Sequence, residues 1–176
     1  MKSQLTDHIG LTELVRGNQY EGVVNHLRKF PNILKEVCAD NNKGHCNYNP
    51  LYAALAGPVV RMTEPFIDYA LSQNPELLNI ITYRADLLSY LVMNKDEPTL
   101  VQKFIDEGLD VNNQNDYTDM NFRIYKPTFN TPAHTAVMRG RLESLKVLIE
   151  NGADLSLQNK GNATPLDVYF YNSYRL

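Results

Sequence analysis

Apolar residues fall along the chain in short blocks with helical spacing. Leu142, Leu145, Leu148 and Ile149 are placed to line one face of a helix, with Glu143 and Lys146 on its wet side. The spacing recurs in Val101, Phe104 and Ile105, in Phe66, Ile67, Ala70 and Leu71, and in Val23, Val24 and Leu27. Each block follows another candidate helix, so the pattern predicts paired helices throughout. Thr131-Pro132 and Thr164-Pro165 repeat one dipeptide 33 residues apart, a period in the range of stacked repeats.

Local chemistry between these two copies spells helix, turn, helix and stop. Thr131 suits an N-cap, because its hydroxyl can accept from an orphan backbone N–H. Pro132 then falls at the first helical position, where the missing N–H costs nothing. Gly140 ends that helix, and Gly152 supplies a left-handed residue after the next. Thr131, Pro132, His134, Ala136, Gly140, Leu148, Gly152, Ala153 and Asp154 together resemble an ankyrin repeat, with Ala133 and Val137 departing from the usual residues. Gly161, Thr164, Pro165 and Leu166 open a further copy, with Asp167 in the place of the histidine. The resemblance implies an all-α ankyrin-repeat solenoid of helix–turn–helix tiers with finger loops. It also implies that His134 is structural and bonds to backbone in the neighbouring turn.

Extended over the chain, the resemblance gives about four and a half tiers in a single domain spanning 1–176. The tiers are roughly 1–45, 46–83, 84–127 and 128–160, with a half-repeat cap at 161–176 and a divergent first tier. In the first, Leu5–Arg16 and Gln19–Lys29 are the expected helices, followed by a polar connection over 31–48. Asn49-Pro50-Leu51-Tyr52 opens the second, with Tyr52 in the histidine slot and a second helix from about Thr63. In the third, Leu88-Ser89-Tyr90-Leu91-Val92 takes the place of P-L-H-x-A, and Gly108-Leu109-Asp110 mirrors Gly152-Ala153-Asp154. About eleven extra residues, 116–127, lengthen the loop that follows. The aromatic tail from Tyr169 to Tyr174 is expected to cover the last core layer.

Composition narrows the function classes. A hydrophobic fraction of 43% with 21% charged residues is that of a globular chain. The net charge of −3 gives no basis for bulk nucleic-acid or anionic-membrane binding, and no apolar run reaches the length of a membrane span. Two cysteines, Cys38 and Cys46, are too few for a secreted disulfide scaffold, which points to a reducing cytoplasm. Cys38, His45 and Cys46 lack the fourth ligand of a structural zinc site. No nucleotide, metalloprotease or serine-hydrolase motif is present, so neither a metal, a cofactor nor catalysis is expected.

The expected activity is binding of another protein through the concave face and finger loops, by a monomer. The residue before the helix-breaking turn is Arg16, Gly57, Lys95 and Arg139 in successive tiers. Three cations in an acidic chain can complement helix dipoles, or form a basic ladder for an acidic partner segment. Met138 stands beside the last of them. Tyr117, Phe122, Arg123 and Tyr125 in the inserted finger are the second candidate surface, since Tyr, Phe and Arg dominate interfaces. Two other settings fit the same scaffold: an effector of an intracellular bacterium or parasite acting on a host protein, or the targeting domain of a larger enzyme.

Overall fold

The computed structural model describes residues 2–17, 19–36, 50–56, 63–79, 86–114 and 129–173. Every regular element among them is helical. The chain divides into two compact units, 1–82 and 83–176.

In the first unit α1 (Lys2–Arg16) and α2 (Tyr20–Lys29) form one pair, and α4 (Pro50–Ala56) and α5 (Thr63–Gln73) another. α1 packs on both α2 and α4. Leu11 and Val15 of α1 are buried, as are Leu51, Tyr52 and Leu55 of α4. Phe66, Ile67, Ala70 and Leu71 are buried as their spacing predicts. The region 31–48 is not a purely polar connection. A short helix, α3 (Ile33–Glu36), interrupts it and buries Ile33 and Leu34 against α5. Asn74, itself buried, donates from Nδ2 to the Leu34 carbonyl at 2.7 Å, and a 3₁₀ turn over Pro75–Asn79 then buries Leu77 and Leu78. Asn49, Gly57 and the trio Cys38, His45 and Cys46 lie outside the described residues.

In the second unit α6 (Leu87–Asn94) pairs with α7 (Pro98–Asp106), α8 (Pro132–Arg139) with α9 (Leu142–Glu150), and α10 (Pro165–Ser173) follows. The first helices form one layer, α6 on α8 on α10, and α7 packs on α9 in a second. Among the apolar side chains that α8 buries are the small Ala133 and Ala136, and α6 buries bulky Leu87, Leu88, Leu91 and Val92. Pairing small with large in this way lets adjacent helices approach closely. Phe104 and Leu148 are fully buried in the second layer.

Three expectations for this unit need correction. The third tier begins one residue earlier than the apolar pattern suggests. Asp86 caps α6 by accepting from the Ser89 N–H at 2.6 Å, so Leu87, not Leu88, matches Pro132, and Ser89 matches His134. The face of α9 is also rotated: Ser144 and Leu148 are buried, whereas Leu142 and Ile149 are exposed. The reason is polar. Asp96, in the turn between α6 and α7, accepts from the Ser144 N–H at 2.9 Å and its hydroxyl at 2.7 Å, which pins that side of the helix inward. Third, Tyr169, Phe170 and Tyr171 do not cover a core layer but remain exposed. α10 is apolar around most of its circumference, and α8 covers one side only.

Asp96 does more than rotate α9. That helix begins at Arg141, which makes no side-chain cap, so the cap comes from the preceding tier. Burial pushes the Asp96 carboxyl up, but bonds from the Ser144 hydroxyl and N–H and the Glu143 N–H, with the Arg141 charge, outweigh it and hold it below the ordinary value. Asp96→Ala should lower stability by about 1–2 kcal/mol, the usual worth of an N-cap, read by chemical denaturation. Asp96→Glu should restore little, because its longer side chain misplaces the oxygen.

Candidate interaction surface

The surface of the second unit is fixed by how its tiers are joined. Thr131 Oγ1 accepts from the His134 N–H at 3.3 Å, and His134 Nδ1 accepts from the Thr131 N–H at 3.2 Å, closing a capping box. An amide N–H can only donate, so Nδ1 carries no proton. Nε2 therefore holds the hydrogen and donates to the Ala163 carbonyl at 2.9 Å, ahead of α10. The histidine bridges two tiers as the resemblance implies. Asp167, in the same position of the next tier, closes the box on Thr164 at 2.8 Å and 2.7 Å, but a carboxylate has no donor to extend the bridge.

Further polar seams join the turns. Asn112 donates to the Gly152 carbonyl at 3.2 Å and accepts from the Asp154 N–H at 2.7 Å. Gln102 and Asn151 exchange bonds of 3.3 Å and 2.8 Å. Asp110 and Asp154, each two residues past a left-handed glycine, make the same turn by accepting from an N–H two residues on, both at 2.8 Å.

With register set by the caps, equivalent surface positions can be read off. Seven residues past Asp86, Thr131 and Thr164 stand Met93, Met138 and Tyr171. The two methionines are partly exposed and Tyr171 is 63% exposed. They occupy one position in three successive, mutually packed helices. Met138 was a sequence candidate; Met93 and Tyr171 were not, because only counting from the caps aligns them.

The cations are less uniform. Arg139 ends α8, but its counterpart in α6 is Asn94, and Lys95 lies one residue further on, in the turn. The turn after α6 lacks a glycine, so the chain leaves at Lys95 in an extended conformation, φ −140° and ψ 155°, where Gly140 turns left-handed at φ 65°. The Lys95 Nζ is shielded and has no hydrogen-bond partner among the described residues. Burial pushes this ammonium below its ordinary pKa, against the nearby Glu97 charge. Arg141 reaches from the next turn to donate to the Asn94 carbonyl at 3.3 Å. Arg16 belongs to the first unit, where it is exposed and lies 3.6 Å from Glu13. Tyr117, Phe122, Arg123 and Tyr125 lie outside the described residues, as does the whole of 115–128.

Among the described residues no cluster of three or more His, Cys, Asp or Glu side chains could hold a metal, and no helix is long and apolar enough to cross a membrane. Residues 133–172, from inside α8 to α10, match the family model for ankyrin repeats (many copies). That segment is ankyrin-repeat sequence. A comparison with curated protein sequences finds no match. Ankyrin repeats generally mediate protein–protein interaction, and the family is typically non-catalytic.

Two measurements test the roles assigned here. Burial lowers the His134 pKa, against the bond to Ala163, so the unfolded chain takes up a proton first. Stability should be full above the ordinary histidine pKa of about 6.5 and fall as pH drops below it. His134→Gln should melt lower at neutral pH and lose that part of the pH dependence. Lys95→Met removes a shielded ammonium that no hydrogen bond among the described residues compensates. Its melting temperature should equal or exceed that of the parent; a drop of several degrees would assign Lys95 a structural role.

Proposed function

We propose that the protein is a non-catalytic recognition module whose first-helix surface binds a partner protein through an acidic segment. The observation that carries this is the row Met93, Met138 and Tyr171 on packed helices, with Lys95 and Arg139 at the helix ends. Methionine and tyrosine give an adaptable apolar surface. A lysine whose Nζ has no hydrogen-bond partner among the described residues favours a carboxylate supplied by a partner. The reading also assigns partner contact to Arg16 and to Tyr117, Phe122, Arg123 and Tyr125 of the inserted segment, and takes the helix pairs of both units as successive repeats of one scaffold.

The test is affinity capture from cell lysate, comparing the parent with a variant carrying Arg16→Glu, Lys95→Glu and Arg139→Glu. A specific partner should be retained by the parent and reduced about tenfold or more by the variant, a loss of about 1.4 kcal/mol, with melting temperature unchanged. Retention by both, or parallel loss of binding and stability, would remove these cations from the interface.

A further inference from the structure

In the second unit the outer helices α7 and α9 pack directly on each other, but in the first unit α2 and α5 are not close neighbours. α5 packs on α3 as well as on α4. The buried Ile33 and Leu34 of α3, and the carbonyl held by Asn74, give α5 a neighbour other than α2. A cleft of about 500 Å³ remains between α2 and α5. Val24, Leu27 and Phe66 supply apolar walls, and Tyr20 and Tyr69, 66% and 46% exposed, stand at the edge. Among the described residues, Arg28 is the single charged side chain lining it. The acidic residues of the same helices, Glu21, Glu64 and Asp68, do not line the cleft, and no ion pair to Arg28 occurs among the described residues.

We infer that this cleft is a second binding site, separate from the first-helix surface, for a short segment of a partner protein. The segment presents one bulky apolar side chain with an Asp or Glu close by. The volume suits such an anchor. Apolar walls and exposed tyrosine rings favour desolvating it at little entropic cost, since tyrosine has few rotamers to lose. A lone arginine beside an apolar wall selects a carboxylate, which it can bind with two parallel hydrogen bonds. The cleft is open at the tyrosine edge, so a ligand confined to it would keep one flank in water. A peptide continues past that edge and covers the rings.

The experiment is selection of a random-peptide phage library on the full chain, followed by titration of a synthetic peptide carrying the enriched motif. Enriched sequences should pair a bulky apolar residue with Asp or Glu. Affinity should fall about tenfold or more with Arg28→Glu and with Tyr69→Ala, both folded by circular dichroism, and stay within about twofold with Lys95→Glu/Arg139→Glu. The last variant separates this cleft from the first-helix surface, so either can fail alone. No enrichment, enrichment without an acidic residue, or binding indifferent to Arg28 and Tyr69 would overturn the inference. Binding of decanoate with the same sensitivity, and of no peptide, would replace it with a small-acid site.

Discussion

One imidazole ring ties two neighbouring tiers of the second unit together. His134 receives the Thr131 N–H on one nitrogen and donates to the Ala163 carbonyl with the other, so helix cap and neighbouring turn share one rigid plane. The ring must be neutral and in one tautomer for both bonds to exist, and its burial enforces the first condition. The Ala163 carbonyl also accepts from the Asn159 N–H at 2.9 Å, so both its lone pairs are in use. Apolar packing brings α8 and α10 together, but it has no direction. The imidazole supplies that.

The same division runs through the other seams. Asp96 caps a helix of the next tier, Asn112 serves both an N–H and a carbonyl of the next finger, and Gln102 and Asn151 exchange bonds. Each tier completes polar groups that its neighbour cannot satisfy alone. This is the polar counterpart of the shared core of repeat proteins, and it sets the angle at which side chains such as Met93 and Met138 are presented.

Much of this was legible where a residue's chemistry is local. Thr131, Pro132, Gly140 and Gly152 act as their positions predict, since capping and left-handed turns depend on few neighbours. Legibility failed where a distant residue decides. The spacing of Leu142 and Ile149 suits a buried face, but Asp96 fixes α9 by Ser144. Asp86 was missed because apolar pattern alone places the start at Leu88, and only the bond to Ser89 reveals the cap. The run Ile33-Leu34 is too short to show periodicity, yet both residues are buried where α3 packs on α5. Of the first-helix row, Met138 was visible from its motif, while Met93 and Tyr171 required the caps.

The extended turn at Lys95 has a wider meaning. Cap to cap, the two helices of the third tier start eleven residues apart, against ten in the fourth. The added residue shifts the sequence frame but disturbs neither helix layer, because the extended turn takes it up. Repeat length is therefore a loose variable here, and cap geometry the tight one. Such a scaffold behaves like verse with a fixed rhyme and a variable metre: its repeats are counted by their punctuation, and a comparison that relies on even spacing loses them first.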